Sequence, residues 1–594
     1  MTAAGAQYGL IRLLAVAALL AAPWVLSASW LTLLNYIGLY SLVCLGLVLL
    51  TGMAGLTSFG QAAFVGIGAY TTALLVTGQG WSPWLSLPAS LAMAGVTAYV
   101  LGWLTIRLSS HYLVLGTMAW GISLYTLFGN VYGLGGYNGI GGVPPVALPW
   151  VDASTQQTFF WLVAAFAVLA FAAARNLLDS RQGRAIRSLR DPEMAESFGV
   201  NATRLKVIVF VGAALLAGVS GWLNAHYVSV VNPGPFGINA SIDYLFMTVV
   251  GGTTSLAGAL VGPALVEVLR TSVRDLVPSL TGTAGGSFET IVFGTVVILL
   301  LQGSGGGVMA MLRRWLPAPR VPRAPARAEP LARRVQPTRG EVLLQVDGVT
   351  RRFGGLVAVD QVSLDLRAGE LLGVIGPNGA GKSTLFNLLT GVLSPTAGQI
   401  RFAGQAIGGA SARRIAGMGV ARTFQHVRLR PEMTVLENAA LGAYQRGRCG
   451  VLRSMLRLDR DEEARCLFEA QRQLERVGMG DSAGLTAGSL SLGQQRILEV
   501  ARALAGDPVL LLLDEPAAGL RYQEKQALVQ LLRQLREDGV SMLLVEHDMD
   551  FVMNLVDRLV VLQYGQRIAA GTASEVQADP RVIEAYLGGI EECA

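Results

Sequence analysis

Hydrophobic and polar positions are divided unevenly along this chain. Up to about residue 310, apolar runs follow one another near 10–28, 31–50, 60–77, 85–106, 112–130, 158–174, 205–227, 242–269 and 287–303. Runs of this length predict helices able to cross about 30 Å of hydrocarbon. The first run has the look of a signal peptide, but the many spans behind it make it the first retained helix. The run 242–269 is interrupted by GGTTS at 251–255, which predicts two shorter helices. After residue 340 the pattern changes to mixed globular sequence, in which short apolar strands such as LLGVI at 371–375 precede helix-compatible runs.

Between the two halves, RRWLPAPRVPRAPARAEPLARRVQPTRG fits neither a strand nor a span. Its prolines favour a partly extended spacer, with arginines facing lipid or solvent. The expected organisation is a membrane domain over 1–312, a linker over 313–340 and a soluble domain over 341–594. The fold class expected is a polytopic α-helical membrane domain of about ten segments, followed by an α/β phosphate-loop domain.

Charge placement fixes the orientation. The stretch 175–206 carries five arginines before Asp191, whereas 131–157 has no Lys or Arg. The former is expected inside and the latter outside. From the uncharged stretch 229–240 (outside) to Arg313 and Arg314 (inside) the chain needs an odd number of crossings, and splitting 242–269 supplies three. Across 594 residues, 52% are hydrophobic and 14% charged, too apolar for an ordinary soluble protein. The net charge of +6 is explained by arginines beside spans, so no nucleic-acid partner is expected. The cysteines Cys44, Cys449, Cys466 and Cys593 form no CxxC pair, which argues against a disulfide framework or zinc site.

Two features of the membrane half leave alternatives open. Dense glycine at 55–70, 133–142 and 249–262 fits either close helix packing or broken helices along a solute path. The segment SRQGRAIRSLRDPEMAESFGV reads as two short helices about Asp191-Pro192, either a surface pair or a docking element for the soluble domain. The spans offer no ionisable residue at mid-span and no carboxylate relay, so the driving energy is expected from elsewhere.

The soluble half supplies it. Gly376-Pro-Asn378-Gly379-Ala-Gly381-Lys382-Ser383-Thr384 matches GxxxxGK[ST] between a strand and a helix. Inward-facing amides there cradle phosphates; Lys382 reaches the β- and γ-phosphates and Ser383 ligates Mg²⁺. The strand VLLLL at 509–513 ends in Asp514 and Glu515. Asp514 is placed to hold Mg²⁺ and Glu515 to polarise the attacking water. A further strand ends in VEHDM, where His547 is within reach of a γ-phosphate.

The order phosphate loop, Gln425 in ARTFQHVRL, LSLGQQR, LLLLDEP and VEHDM resembles the nucleotide-binding domain of ABC transporters. More closely, RFGGLVAVDQVSL, DEPAAGL and VIEAYLGG are similar to the LivG-type ATPase of branched-chain amino acid importers. GQAAFVGIGAY, GGYNGIGGVP and GRAIRSLRDPEMAESFGVN resemble the LivM-type permease of that system. The resemblance implies an ATPase with ATP and Mg²⁺ as cofactors. Phe353 would stack on adenine; Gln425 would sense the γ-phosphate and Mg²⁺ and face the membrane subunit. Ser491, Gly493 and Gln494 would close over ATP on a second nucleotide domain, His547 would be the switch histidine, and 181–200 would couple the halves.

Two departures stand out: Leu492 at the first glycine of LSGGQ, and Arg521 where an aspartate is usual. The resemblance further implies a bacterial inner-membrane protein with its ATPase in the cytoplasm. Its partners would be a LivH-like permease, a LivF-like ATPase and a periplasmic protein that delivers a small hydrophobic amino acid. Wider relatives carry urea, amides or aromatic acids. Exporters favour six long helices, whereas the segments here are more numerous, shorter and glycine-broken.

Overall fold

The computed structural model describes residues 19–281 and 306–587, apart from 107–109, 149–150, 153–154, 314 and 316–321, with isolated positions at 17 and between 291 and 302. The chain forms two units, residues 1–179 with 203–320 and residues 180–202 with 321–594.

The first unit is helical: α1 (Ala28–Leu47), α2 (Gln61–Ala73), α3 (Pro83–Thr105), α4 (Ser110–Asn130) and α5 (Gln156–Leu178). The helices α6 (Arg181–Ser188) and α7 (Pro192–Ser197) belong to the second unit, and α8 (Ala202–Val228), α9 (Ile238–Gly251) and α10 (Gly258–Thr281) follow. Among the described residues six helices are long and apolar enough to cross a membrane, with Ile238–Gly251 as a shorter apolar helix. Of the about ten segments expected, that at 287–303 falls largely outside the described residues, and that at 10–28 is described from residue 19 onward with residue 17.

The expected break is present: α9 ends at Gly252, whose φ of +109° favours glycine, and α10 begins at Gly258. Elsewhere glycine serves close packing. A Cβ on Gly68 would lie 2.4 Å from the Gly218 carbonyl oxygen, so α2 and α8 approach backbone to backbone. Close packing and a helix break occur together at 249–262, where a Cβ on Gly251 would lie 2.0 Å from the Gly258 carbonyl oxygen. The fully buried Trp222 ties α8 to α3, its indole N–H donating to Pro83 O at 3.1 Å and Ser86 Oγ at 3.0 Å.

One expectation is corrected here. Ionisable groups do stand among these helices: Arg270 on α10 reaches Asp243 on α9 at 3.2 Å and Glu267 at 3.4 Å. With Arg274 and Asp275 also on it, α10 is too charged to count among the six.

Among the described residues the second unit holds two sheets. An antiparallel sheet comprises β1 (Val342–Phe353), β2 (Leu356–Arg367), β4 (Ala397–Phe402) and β5 (Gln405–Ala406), in the order β2-β1-β4-β5. The other comprises β3 (Leu371–Ile375), β6 (Val420–Arg422), β7 (Leu510–Asp514), β8 (Ser541–Val545), β9 (Arg558–Gln563) and β10 (Gln566–Gly571), in the order β6-β7-β8-β3-β9-β10. All pairings in it are parallel except β9 with β10. The runs LLGVI, LLLLD and SMLLV are buried at every position, as strands covered on both faces must be. Because β6, β7, β8 and β3 are neighbours and run the same way, the residues after each converge at one edge.

The linker is less free than its composition implies. Leu331 is buried with Ala443, Cys466 and Ala505. The Arg334 amide donates to Asp507 at 2.6 Å and its guanidinium to the Gly417 carbonyl, while Arg446 donates to the Leu331 and Ala332 carbonyls. Arg334 is thus a docked residue rather than a solvated spacer arginine, held by the Asp507 carboxylate and the Gly417 carbonyl.

Candidate functional site

Four strand ends build the site. After β3 the chain turns through Gly376–Gly381 into α11 (Lys382–Leu389). Gly381 caps that helix at φ +93°, and a Cβ there would lie 2.4 Å from the Ala358 carbonyl oxygen. A side chain at this position both strains the left-handed backbone and crowds β2, at a cost of roughly 1–3 kcal/mol. Gly381→Ala is therefore expected to weaken binding of a fluorescent ATP analogue by about tenfold or more; unchanged affinity would contradict this reading of the loop.

Lys382 is buried and donates to the Gly376 carbonyl at 2.7 Å and the Pro377 carbonyl at 3.0 Å. Burial pulls its ammonium below the usual range, against the opposing pull of Glu515, Asp514 and Glu546. Ser383 and Thr384 follow on the first turn of α11, where the positive end of the helix favours an anion. An open cleft of about 470 Å³ is lined by Asn378–Thr384, Leu356–Ala358, Gln425, Glu515 and Tyr564.

Asp514 ends β7 with its amide donating to Thr423 Oγ1 at 3.2 Å. Its Oδ1 is buried and has no hydrogen-bond partner among the described residues. Burial pushes its carboxyl up to about 6, partly opposed by the Arg422 guanidinium. A buried carboxylate oxygen without a partner fits a group that accepts a cation or a metal-bound water.

Glu515 follows at φ +44°, a left-handed conformation rare for a side chain of this size. It is held there by its amide donating to Val545 O at 2.8 Å, from the neighbouring strand β8. Its Oε2 accepts from Gln425 Nε2 at 3.0 Å and stands 3.7 Å from His547 Nδ1. Gln425, Glu515 and His547 thus form one cluster at the cleft.

Other expected residues lie apart. Phe353 ends β1 half-exposed, beneath the Arg351 guanidinium at 4.6 Å from its ring centroid, and does not line the cleft. Ser491 caps α12 (Leu492–Ala505): its hydroxyl accepts from the Gln494 amide at 3.3 Å, and Gln494 Oε1 accepts from the Ser491 amide at 3.0 Å. Gly493 packs against Glu524, where a Cβ would meet Oε1 at 2.4 Å. These three residues are not in the cleft of their own domain. At the second departure, Glu524 accepts from the Arg521 amide at 3.0 Å, which caps helix Tyr522–Glu537.

Sequence reasoning missed Tyr564 and Glu546. Tyr564 is an exposed turn residue at φ +48° that no motif marks. Glu546, fully buried, accepts from the Ala517 amide at 2.7 Å and the His547 amide at 3.1 Å, bracing the chain beside both Glu515 and His547. Its place in VEHDM was the available signal.

The segment 180–202 is the least expected part of this unit. Ser180 and Asp191 cap α6 and α7 through the Gly183 and Met194 amides. Arg181, Arg184 and Arg187, one helical turn apart, pair with Glu462, Glu463 and Glu437 respectively. Burial opposes the charge on Glu437, yet Arg187 and the Thr434 amide hold its carboxyl below the usual range. From α7, Asp191 and Glu193 engage Arg428 at 3.2 and 2.7 Å, and Glu193 also engages Arg422 at 3.2 Å. Met194 and Phe198 complete the contact in an apolar cluster with Phe424 and Leu441. Gln425 lies between Arg422 and Arg428, so the segment grips both sides of the residue that contacts Glu515. Of the two readings open from sequence, the docking element is the one adopted.

Residues 29–301 match the branched-chain amino acid transport system permease component, residues 359–518 the ABC transporter family, and residues 566–592 the branched-chain amino acid ATP-binding cassette transporter. The high-affinity branched-chain amino acid transport ATP-binding protein LivG of Salmonella typhimurium is 45% identical over 249 residues, covering 41% of this chain and 98% of that protein. The chain belongs to the branched-chain amino acid ABC transporter family. BraF of Pseudomonas aeruginosa, named a high-affinity branched-chain amino acid transport ATP-binding protein, is 44% identical with the same coverage. A probable LivG of Methanocaldococcus jannaschii is 33% identical, covering 41% of this chain and 97% of its own length. As a member of this family the chain is a multi-pass membrane protein with an ATPase domain, and it works with partner transporter subunits.

Proposed function

We propose that this chain is the fused permease and ATPase half of an importer that uses ATP to bring branched-chain amino acids across the bacterial inner membrane. The observation that carries the reading is a permease region and a cleft lined by Lys382 and Glu515, with Asp514 and His547 beside Glu515, on one chain whose segment 180–202 is held beside Gln425. The permease spans 1–312 and the ATPase 341–594, in the cytoplasm. A second permease and a second ATPase, LivH-like and LivF-like, complete the assembly, and a periplasmic binding protein delivers the solute. Ser491, Gly493 and Gln494 face the nucleotide of the second ATPase, and Phe353 approaches adenine once nucleotide is bound.

Residues at the cleft also fit Mg²⁺: Ser383, Gln425 and the unpartnered Asp514 carboxylate would hold it, and it would neutralise charge on the phosphates. Lys382 turns from its two carbonyls to the phosphates. Water attacks the γ-phosphorus in line with the departing ADP oxygen; Glu515 takes the proton from that water and His547 hydrogen-bonds the γ-phosphate.

Asp514 gives this scheme a pH dependence. Its carboxyl sits near 6, and a metal ligand must be deprotonated. As pH falls through 6 the carboxylate is lost, so Mg²⁺-dependent nucleotide binding is expected to weaken between pH 7 and 5. Asp514→Asn should bind weakly at both pH values and show a flat profile; an unaltered slope in that variant would assign the titration elsewhere.

Uptake of labelled leucine, urea and an aromatic acid by cells with and without the chain tests the substrate. Leucine uptake lost with the chain supports the reading, and selective loss of another solute replaces the substrate.

A further inference from the structure

The first unit contains a cavity that the proposed function leaves unassigned. Its volume is about 330 Å³, within the usual range for small-molecule sites of ~300–1,000 Å³. Tyr40, Asn224, Phe236, Asp243, Tyr244 and Arg270 are among its lining residues. They come from α1, α8, α9, α10 and the turn before α9, so the cavity is walled by several helices where α9 begins. Clefts between the helices of a bundle are usual places for small-molecule sites.

The wall combines two chemistries. Tyr40 and Tyr244, with ring centroids 5.6 Å apart, supply aromatic surface, and Phe236 lines the same cavity. Asp243 and Arg270 pair at 3.2 Å with their side chains 44% and 43% exposed. A pair meant only to lock two helices has no need of that exposure, and charged groups among membrane helices are costly enough to mark function. Glu267, 12% exposed and 3.4 Å from Arg270, supplies a second carboxylate that keeps the guanidinium oriented if Asp243 turns away.

We infer that this cavity is a permease subsite for the zwitterionic end of an α-amino acid, with Arg270 taking the carboxylate, Asp243 the ammonium and the aromatic surface an apolar side chain. The inference deepens the proposed function and rests on it for the direction of transport, not for binding. A zwitterion suits an ion pair because it inserts between the two charges and gives each a partner, leaving neither unpaired. A solute with one charge leaves the other group exposed to an apolar surrounding, and so is rejected.

The test uses the assembled transporter, purified from its own cells through a tag on this chain and freed of external binding protein. Equilibrium binding of labelled leucine is measured with two competitors: 4-methylpentanoate, which lacks the ammonium, and leucinamide, which lacks the carboxylate. The wild-type assembly should prefer leucine to either by about tenfold or more. Asp243→Asn should weaken leucine and let 4-methylpentanoate compete; Arg270→Gln should weaken leucine and let leucinamide compete. Retained ATPase activity shows that each variant is folded and assembled. Unchanged discrimination in both variants overturns the inference, as does full recovery of leucine binding in the reversed pair Asp243→Arg with Arg270→Asp, the mark of a helix lock. A wild-type assembly that binds no leucine also overturns it, and chain-dependent leucine uptake by cells would still stand. Leucine binding without such uptake would instead remove the transport reading and keep the subsite.

Discussion

Glu515→Gln is expected to lower ATP turnover by about 10²- to 10⁴-fold while the protein still binds nucleotide, the range typical for loss of a positioned general base. The substitution keeps the shape and the hydrogen-bonding reach of the side chain, and removes only its ability to accept a proton. The surrounding structure is built to hold this group. Its backbone is kept at φ +44° by a hydrogen bond to β8, and Gln425 and His547 reach its Oε2 from two other strand ends. Steady-state ATPase and ATP binding on the same preparation check it. Turnover within a few-fold of wild type would mean that another group accepts the proton.

Arg184→Glu is expected to abolish coupled transport with a smaller effect on the nucleotide cleft itself. The Arg184 side chain is 3% exposed and donates through both terminal nitrogens to Glu463, one contact at 2.9 Å. Breaking a buried pair by removing one partner costs about 3–5 kcal/mol, and placing two carboxylates together adds to it. Arg181 and Arg187 make parallel pairs with Glu462 and Glu437, so the helix should loosen from one turn rather than unfold. The reversed pair, Arg184→Glu with Glu463→Arg, should recover much of the transport. Leucine uptake and ATPase measured together decide it: equal loss of both, unrelieved by the reversal, would point to misfolding instead of lost docking.

The docking geometry gives a physical reason for the fusion. The segment 180–202 leaves the membrane helices and packs in the soluble unit, with basic α6 on acidic Glu437, Glu462 and Glu463 and acidic α7 on basic Arg422 and Arg428. This alternation of sign fixes the register of the segment. Linker residues Leu331 and Arg334 add a second attachment on the same unit.

The cleft was legible in the sequence because each of its groups ends an apolar strand. LLGVI before the phosphate loop and LLLLD before Glu515 announce both the element and the place of the chemistry. The break at GGTTS was legible because two adjacent glycines and three hydroxyl residues interrupt an otherwise apolar run. The docking partners were not. Arg184 and Glu463 are separated by 279 positions, and neither has a local pattern that names the other. The Asp243–Arg270 pair was hidden by the same break that was predicted correctly, because it forms only when α9 and α10 fold back on each other. Arg521 departs from the usual aspartate, and the local cap at this turn comes instead from Glu524, three residues on.

The central claim is that ATP hydrolysed at this cleft powers solute entry through the same chain's permease. It is tested most directly in right-side-out membrane vesicles loaded with ATP and Mg²⁺, prepared from cells carrying wild-type chain or Glu515→Gln, and supplied with the external binding protein and labelled leucine. Accumulation in wild-type vesicles that requires internal ATP and vanishes in the variant is the predicted result. Equal accumulation in both, or accumulation driven by a proton gradient without ATP, would contradict it.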